Sequence, residues 1–593
     1  MKRLSTLCFT ALAALSTFAQ QERQVPHALA PWEVPLIRDY RDSRASDSRG
    51  ITTFPTLPVR TMAEWEEIQS LCIAWTDYEG ILKQIVRAAK EECEVIIVCD
   101  DQAAVITYLN NTQFGGALNN LNNITFIEAP FNSIWMRDYG PETMYLNEVD
   151  SLVLMDWIYN RPRPLDDAIP DVLGTAKGIP VFSSTNAPND LVHTGGNFMS
   201  DGFGTAFSSD LVTEENGSGG NYNQTVHSPA QVDQLMTDWM GILPGRYVRM
   251  TALPFDGINH IDMHMKLLDE ERLLVGQFPQ GVSDGPQLEL NLQGITANYN
   301  SVFNSPYEYV RIPMPSSTSG QYAPNANYRT YTNNIFINGT VLVPTYRTEF
   351  DTTGLRILRE SLPGFNVVGI DCDNSGQNII SQSGAIHCIT KGIGVSDPLL
   401  IRHQALDDTY DTQDPYTVTA YMRHRSGIAG AVLYWSTDTT QAYQALVMTD
   451  IGNNEWSAAI PAQVAGTEVF YFVEGTSNSG KVQVRPIVAP DGYWSFRVLD
   501  TNTGIAGANP PQVVEVFPNP TAGECMVVLA ANRVDRTRVE VLDALGRRVA
   551  WLNEGFLPAD GRFFLDLSIL DAGTYFVVAT SNGGRSVLPL VKR

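Results

Sequence analysis

Between residues 51 and 395, short apolar runs alternate with helical stretches. The apolar runs predict strands, and the amphipathic runs predict helices. The clearest strands are expected at 93–99, 272–278 and 336–346, and the clearest helices at 231–243 and 353–362. Strands that alternate with helices are typical of an α/β domain. We therefore expect residues 51–395 to form such a domain.

The pattern changes after residue 396, where strands follow one another without helices. Six β-rich runs are separated by Gly, Asn and Pro turns and lie at 416–424, 431–437, 443–449, 454–461, 468–475 and 493–499. Trp435 alternates with Leu433, so both are expected on the buried face. The pattern predicts an all-β sandwich of immunoglobulin or fibronectin type at 396–500, without the cysteine pair of antibody domains.

Residues 501–514 have the composition of a linker, and a small second β-domain is expected at 515–593. It contains the runs Pro518-Asn519-Pro520-Thr521, Asp543-Ala544-Leu545-Gly546-Arg547 and Gly573-Thr574-Tyr575. As a set, these runs resemble the C-terminal sorting domain of proteins exported by the type IX secretion system. The resemblance implies the type IX machinery as a partner, an outer-membrane or secreted destination and removal of the tail.

The first 20 residues have the features of a secretory signal peptide. Lys2 and Arg3 precede an apolar run that ends in small residues, and cleavage is expected after Ala19 or Gln20. A membrane anchor is the alternative, but the run is too short to span a bilayer, and no later run reaches the required length. Residues 21–50 are polar and predict a propeptide or an extended lead-in.

Composition narrows the classes of function. Forty Lys and Arg against 65 Asp and Glu give a net charge of −25, which disfavours nucleic acid and attracts cations. Seven cysteines in a chain of this length are too few for a disulfide scaffold, and no cysteine or histidine cluster indicates zinc. Pairing among Cys72, Cys93, Cys99 and Cys372 stays open, although a strand between Cys93 and Cys99 would hold those two apart.

Candidate chemistry begins with Cys388, His260 and Asp262. Cys388 lies among small and apolar residues late in the α/β region, where a free cysteine is usually inert. If 260–264 is a strand, His260 and Asp262 share a face, with His264 next in that row. Cysteine, histidine and aspartate together suggest nucleophilic catalysis. An ordinary polar pair is the alternative interpretation.

Three further motifs have polar residues beside tight turns. Asp138 lies in 135–141, ahead of Gly140-Pro141, where it could also be a turn former. The glycine-rich 193–197 is interpreted as architectural. Asn333 follows Tyr331-Thr332, and whether Asn333 or Asn334 faces the site stays open. His264 and His387 are expected to be structural.

In their order along the chain, WxRDxGP, HxGGN, HxD, YxN and a late IHCIT cysteine resemble the agmatine deiminase-like family of guanidine-modifying enzymes. The resemblance covers roughly 60–395 and implies a five-bladed α/β propeller, the pentein fold. It implies conversion of a guanidinium to a ureido group with release of ammonia. No cofactor and no metal are expected.

The resemblance also implies roles for individual residues. Asp138 and Asp262 would bind the guanidinium, since paired carboxylates suit its planar donors. Cys388 would attack the central carbon and form a covalent thiouronium. His260 would protonate the departing ammonia and then activate water. Asn333 would lie near Cys388, and Trp135 would wall the arginine stem or stack on the guanidinium.

Substrate choice depends on Asn160-Arg161-Pro162-Arg163-Pro164. Two arginines one residue apart suit bidentate carboxylate binding, and a solvated basic turn is the alternative. The segment resembles its counterpart in the Porphyromonas-type bacterial peptidylarginine deiminases, which implies peptides with C-terminal arginine as substrates and no need for calcium. Gly257 departs from the family pattern, which has a tyrosine three positions before the histidine of HxD. This departure predicts a larger or differently shaped entrance.

Three other functions compete with this hypothesis. One is a deiminase of small free guanidines such as agmatine. The second is a non-enzymatic surface adhesin on a deiminase scaffold, which the joint presence of Asp138, His260, Asp262, Asn333 and Cys388 disfavours. The third is a secreted thiol protease, which would need no pair of carboxylates sized for a guanidinium. Protein substrates, oligomeric state, processing sites and structural ions are left open by the sequence.

Overall fold

The computed structural model describes residues 25–45, 49–500, 512–530, 537–544, 546–555, 561–568, 570–581 and 584–593. The predicted signal peptide with Cys8 lies outside the described residues. So does most of the predicted linker 501–514.

The α/β region 51–395, all of which is described, contains five sheets of three or four strands. The first pairs Val59–Thr61, Glu142–Leu146, Ser151–Asp156 and Val181–Ser183, and the second pairs Met199–Ser200, Ala206–Ser209 and Tyr247–Met250. The third pairs Met265–Leu267, Arg272–Gln277 and Glu308–Pro313, and the fourth pairs Ile335–Ile337, Thr340–Thr345 and Asn366–Asp371. The fifth pairs Lys391–Gly394, Ile68–Ala74, Glu94–Cys99 and Ile124–Glu128, and a further two-stranded pairing joins Ile158–Tyr159 to Val192–His193.

The same connection recurs in all five sheets. Each has an antiparallel pair followed by a parallel strand, and a helical crossover leads to that parallel strand. The crossover helices, from the first sheet to the fourth, are Ile169–Lys177, then Leu211–Asn216 with Pro229–Met240, then Gly285–Asn298, then Thr348–Ser361. In the fifth sheet they are Glu79–Ala89 and Gln102–Leu109. The region is therefore built from five similar units, which confirms the mixed α/β class.

The fifth sheet joins the two ends of the α/β region. Lys391–Gly394 pairs antiparallel with Ile68–Ala74, more than 300 positions earlier in the chain. One hydrophobic core runs through residues from Ala63 to Ile393. The late cysteine motif is consequently held against the start of the domain.

Two local predictions need correction. The run 336–346 is not one strand but a hairpin of Ile335–Ile337 and Thr340–Thr345, because Asn338-Gly339 forms a tight turn with Asn338 at φ 48°. The segment 260–264 is not a strand either. His260 is extended, but Ile261–Met263 forms a 3₁₀ turn before the strand begins at Met265.

Two β-rich regions follow the α/β region. The first has two antiparallel sheets, and Leu433 and Trp435 are buried between them as expected. Its strands are Leu400–Arg402, Tyr416–Arg423, Ile428–Ser436, Gln444–Val447, Thr449–Gly452, Glu455–Ile460, Glu468–Ser477, Val482–Arg485 and Trp494–Arg497. The second also has two sheets, with strands Gln512–Phe517, Glu524–Ala530, Thr537–Leu542, Arg548–Gly555, Arg562–Asp566, Gly573–Ser581 and Gly584–Lys592.

The N-terminal segment, residues 25–45, packs on the α/β region. It contains a 3₁₀ turn at Val34–Leu36 and a helix at Ile37–Arg44. Tyr40 is buried in a small cluster with Ile158, Val192 and Tyr222, and its hydroxyl donates to the Tyr159 carbonyl at 3.1 Å. The polar lead-in thus has no core of its own and depends on the domain beneath it.

The cysteines of the described residues are free thiols. Cys72, Cys93, Cys99, Cys372, Cys388 and Cys525 are all buried and unbridged. No helix among the described residues is long and apolar enough to cross a membrane.

Candidate active site

The five motifs occupy equivalent places in the five units. Each lies just before a strand of its unit's antiparallel pair. The motif turns are Met136–Tyr139, Gly195–Asn197, Ile261–Met263, the loop at Asn333 and His387–Ile389. Repetition of the unit therefore brings five loops, which are far apart in sequence, to one place.

Cys388 lies at the centre of this cluster. Its Sγ accepts a hydrogen bond from Asn333 Nδ2 at 3.2 Å and lies 3.6 Å from Asp262 Oδ2. The backbone N–H of His387 donates to Asn333 Oδ1 at 3.0 Å, which fixes the amide. Burial raises the pKa of the Cys388 thiol well above its ordinary value, and the charges of Asp262 and Asp138 raise it further. The resting group is a thiol.

Asp262 is held by His387. The ring Nδ1 of His387 lies 2.8 Å from Asp262 Oδ2, and its Nε2 lies 2.7 Å from Glu64 Oε2. Glu64 in turn pairs with Lys266. The two carboxylates fix the imidazole between them, so the orientation of Asp262 depends on a residue next to the nucleophile.

His260 and Asp138 form a second contact within the cluster. His260 Nδ1 lies 3.6 Å from Asp138 Oδ1, and neither ring nitrogen of His260 makes a hydrogen bond within the described part of the chain. Burial lowers the pKa of His260 to about 4, although Asp138 works against this. The imidazole is therefore neutral at physiological pH and free to exchange a proton.

Gly196 must be a glycine at this site. Its N–H donates to Asp138 Oδ1 at 3.2 Å. A Cβ at this position would lie 2.5 Å from His260 Nδ1 and 2.9 Å from Asp138 Oδ1, both too close for real contacts. The glycine-rich turn 193–197 thus lets the backbone approach two site residues closely.

The N-terminal segment fills the space beside Asp138. His27 Nε2 lies 2.6 Å from Asp138 Oδ2, and its ring stacks on Trp135 with centroids 4.1 Å apart. The indole N–H of Trp135 donates to the Val25 carbonyl at 3.1 Å. Burial raises the pKa of Asp138, but His27, His260 and Arg161 outweigh burial and hold it well below its usual range. Asp138 is a carboxylate already occupied by a ring from its own chain.

Arg161 and Arg163 are buried and also bind this segment. Arg161 Nε donates to the His27 carbonyl at 3.1 Å, and Arg163 Nη2 donates to the Pro26 carbonyl at 2.7 Å. Arg163 also forms a two-point pair with Glu33, with Nε to Oε1 at 2.7 Å and Nη2 to Oε2 at 3.1 Å. A solvated basic turn does not describe these arginines, since both are buried.

Within the described residues, His27, Asp138 and His260 form the one group of donor side chains with a geometry that could hold a metal ion. Their donor atoms lie within 4.8 Å of one another. Two imidazoles and one carboxylate suit a divalent transition metal. A hydrogen bond between His27 and Asp138 joins two of the three residues.

The structure brings Asp138, His260, Asp262, Asn333 and Cys388 into one buried cluster and places Trp135, Arg161 and Arg163 around His27. Asn333 rather than Asn334 faces Cys388, because Asn334 Nδ2 donates to the Tyr331 carbonyl. Sequence reasoning missed three contributors. His387 was expected to be structural, although its position next to Cys388 could have indicated a role in the site. The sequence contains no pattern that indicates Glu64 or His27.

The comparison that decides the family covers more than half of the chain. The family model for the Porphyromonas-type peptidyl-arginine deiminases matches residues 60–393. The chain belongs to this family. All five motif loops of the cluster fall within the matched residues, so the deiminase region carries the site.

Curated relatives of this deiminase are bacterial proteins assigned as agmatine deiminases. The Vibrio parahaemolyticus protein is 23% identical over 357 residues, which cover 56% of this chain and 95% of that protein. The Legionella pneumophila (strain Paris) protein is 24% identical over 349 residues, covering 56% and 93%. Both matches are confined to about half of this chain but span nearly all of the relative.

Solved structures of similar sequence give comparable coverage. A Porphyromonas gingivalis protein assigned as an arginine deiminase is 22% identical, with a TM-score of 0.48, and covers 56% of this chain and 98% of its own. A substrate-bound agmatine deiminase from C. jejuni is 17% identical, with a TM-score of 0.47, and covers 58% and 98%.

A second family model accounts for the tail of this deiminase. The secretion system C-terminal sorting domain matches residues 515–593. These are the residues in which the sequence predicted a type IX sorting domain. The protein is therefore secreted or exported to the cell surface, and the resemblance to both families is confirmed.

Proposed function

We propose that the protein is a secreted peptidylarginine deiminase that acts through Cys388. The observation that carries the proposal is the buried contact of Cys388 Sγ with Asn333 at 3.2 Å and with Asp262 at 3.6 Å. His260 and Asp138 complete the same cluster. A nucleophile, an acid–base and two carboxylates are the groups that hydrolysis of a guanidinium needs.

Asp138 and Asp262 are proposed to hold the substrate guanidinium. The planar cation offers N–H donors on several edges, and two carboxylates on opposite sides match them. Their charges now raise the pKa of Cys388. A bound cation would offset those charges and favour the thiolate. The arginine stem would lie along the face of Trp135.

The reaction follows from these positions. The Cys388 thiol gives its proton to the neutral His260, and the resulting thiolate attacks the guanidinium carbon. The His260 imidazolium then protonates a terminal nitrogen, the carbon–nitrogen bond breaks, and ammonia leaves. This leaves a thiouronium joined to Cys388. The neutral His260 then takes a proton from water, and the resulting hydroxide attacks the same carbon. The carbon–sulfur bond breaks and citrulline is released, while the hydroxyl proton of the intermediate passes to solvent and converts ammonia to ammonium. The His260 imidazolium returns its proton to the Cys388 sulfur, which restores the thiol.

Arg161 and Arg163 are proposed to bind the α-carboxylate of a C-terminal arginine. Arg163 already forms a two-point pair with the Glu33 carboxylate, which is the geometry that such a clamp needs. Agmatine has no carboxylate and would gain nothing from this pair. This internal pair supports the proposal that peptide ends, rather than free guanidines, are the substrate class.

Gly257 is proposed to widen the entrance. A Cβ at this position would meet nothing within 4 Å, so the space that a larger side chain would take is open. Peptides are bulkier than agmatine, and a wider entrance suits them.

The finer architecture is also a proposal. The five similar units would be the blades of a five-bladed propeller, residues 51–395 the catalytic domain and 396–500 an immunoglobulin-like domain. Residues 1–20 would be the signal peptide, 21–50 a propeptide or an extended lead-in, 501–514 a linker and 515–593 the sorting domain recognised by the type IX machinery. No cofactor takes part in the proposed chemistry.

The test compares four substrates on the full chain and on the full chain carrying His27→Ala and Glu33→Ala. The substrates are a peptide ending in arginine, its C-terminal amide, a peptide with internal arginine, and agmatine. Citrulline, ammonia and carbamoylputrescine are assayed. We expect the free-acid peptide to be converted best. Faster turnover of agmatine would favour the free-guanidine function, and no product from any substrate would favour the adhesin.

The arginine clamp is tested by a ratio. In the variant background, the free acid should exceed the amide in kcat/KM by about 30-fold or more, since losing a buried charged pair costs about 2–5 kcal/mol. Arg161→Ala with Arg163→Ala should bring the ratio near one. Arg249 pairs with Asp233 at the surface, and Arg249→Ala is the matched control. A ratio is used because the double variant also loosens the N-terminal segment.

A further inference from the structure

Residues 25–45 contact the cluster and the buried residues around it at several points. His27 is fully buried against Asp138 and Trp135, although the segment belongs to no sheet of the domain. Beyond it, Glu33 pairs with Arg163, and Arg44 Nε lies 2.7 Å from Asp167 Oδ2. Charged and aromatic anchors thus recur along the segment, each against a buried residue of the α/β region.

The contacts reproduce those proposed for the substrate. A flat nitrogenous ring lies on the carboxylate of Asp138, where the guanidinium would bind. The same ring stacks on Trp135. A carboxylate forms the two-point pair with Arg163, where the peptide end would bind. Arg161 also donates to the backbone carbonyl of His27, and Arg163 to that of Pro26, as both could do with a bound peptide.

The segment also closes the site. Cys388, His260 and Asp262 have no solvent-exposed surface. The ring of His27 lies edge-on to His260, with centroids 5.2 Å apart, so it fills the space directly beside the proposed acid–base. A guanidinium cannot bind both oxygens of Asp138 while His27 Nε2 is hydrogen-bonded to Oδ2.

We propose that residues 25–45 are a substrate-mimicking inhibitor that the active site binds as a peptide ligand, so that the full chain is a latent enzyme. Release or proteolytic removal of the segment would open the site. The inhibitory role rests on the proposed deiminase function, but the binding of residues 25–45 in the site can be measured without turnover.

The experiment measures access to Cys388 rather than catalysis. The full chain, the His27→Ala/Glu33→Ala variant and Arg38→Ala are treated with iodoacetamide, and each cysteine is followed by peptide mapping. Arg38 is a matched control because it lies on the same segment with an exposed side chain. Cys388 should be alkylated at least about tenfold faster in the double variant, since each charged hydrogen bond lost is worth roughly a factor of ten. Arg38→Ala should match the wild type.

The five other described cysteines are internal controls for folding. If they also react in the double variant, the variant has loosened globally. A second protein then distinguishes local opening from global loosening. It has the wild-type sequence except for a specific protease site in place of Ser46-Asp47-Ser48. Cutting at this site should accelerate alkylation of Cys388 alone. A synthetic peptide of residues 25–45 should restore protection to the cut protein, and the same peptide with His27→Ala should not.

The outcomes separate this proposal from the proposed function. Equal alkylation of Cys388 in the wild type, double variant and cut protein would overturn the inhibitory role, even if citrulline is formed. Faster alkylation without any citrulline from the opened protein would leave the inhibitory contact standing and remove the deiminase proposal. We expect both alkylation and citrulline formation to rise together, and wild-type peptide to suppress both.

Discussion

The imidazole of His27 stacks on the indole of Trp135 with ring centroids 4.1 Å apart and 10° between the ring planes. This is the face on which the sequence placed an arginine stem or guanidinium. The same imidazole is 2.6 Å from Asp138. His27 thus occupies two of the positions that a substrate side chain would need. Access of the substrate to the cluster therefore has to be established before activity is measured.

Cys388→Ala should abolish citrulline formation. The side chain is the nucleophile, and nothing else in the cluster can form the covalent intermediate. The measurement is made in the His27→Ala/Glu33→Ala background, with circular dichroism as the folding control. Near-normal turnover with an unchanged spectrum would show that the reaction does not pass through this thiol.

Asp138→Asn and Asp262→Asn should each lower kcat/KM by about a hundred- to several-thousand-fold in the same background. Removing one partner of a buried charged pair costs about 3–5 kcal/mol. Asparagine keeps the shape of the side chain and removes its charge. Losses below tenfold in both variants would place the guanidinium elsewhere.

His387 should act as a positioning residue for Asp262. His387→Ala removes the 2.8 Å contact to Asp262 and should lower kcat by about ten- to a hundredfold, the worth of a charged hydrogen bond. KM should change little, because His387 does not touch the substrate.

The conservative variants distinguish positioning from simple destabilisation. His387→Gln keeps one amide donor and should recover part of the lost kcat. Glu64→Gln still accepts a hydrogen bond from His387 and should be milder than His387→Ala. A loss confined to KM, or an equal loss in His387→Gln and His387→Ala, would contradict the assignment.

Mild acid should not open the site. The pKa of Asp138 is held well below its usual range by His27, His260 and Arg161. A carboxyl with a lowered pKa keeps its contribution to stability above its unfolded pKa of about 3.9 and loses it only as the pH falls through the folded value. Labelling of Cys388 with a disulfide reagent that reacts in acid should therefore stay slow from pH 7 down to about pH 4.

A marked acceleration between pH 7 and pH 5, with the other buried cysteines still protected, would contradict this. It would mean that the segment is released by a group other than Asp138. The His27→Ala/Glu33→Ala variant should be labelled rapidly over the whole range and serves as the reference.

The sorting domain should be absent from the mature protein. Residues 515–593 match a secretion sorting domain, and the stretch before them has a linker composition. Mass spectrometry of surface material from the native host checks this. An exported chain that still ends at Arg593 would show that export does not remove the tail.

The sequence predicted site residues best where a reactive side chain lies in a short motif with characteristic neighbours. Cys388, His260 and Asp138 each lie in such a motif, and the structure places all three in one cluster. It also indicated the α/β class, because strand and helix periods differ. His260 and Asp262 do enter one site, but not through the shared strand face that the sequence predicted, since Ile261–Met263 is a 3₁₀ turn.

What the sequence could not indicate depends on long-range contacts. Glu64 contacts His387 across 323 positions, and His27 contacts Asp138 across 111. Neither residue lies in a motif, because contacts with residues that are distant in sequence leave no local pattern. The hairpin at 336–346 was predictable in principle from Asn338-Gly339, whose turn preference was outweighed by the apolar run around it.

Cys388 and its neighbours are proposed to convert peptidyl arginine to citrulline. The most direct measurement is mass spectrometry of a peptide ending in arginine after incubation with the His27→Ala/Glu33→Ala protein, with and without Cys388→Ala. We expect one guanidinium nitrogen to be replaced by oxygen, with release of one equivalent of ammonia, only when Cys388 is present. An unchanged peptide, from a protein whose Cys388 is shown by alkylation to be accessible, would contradict it.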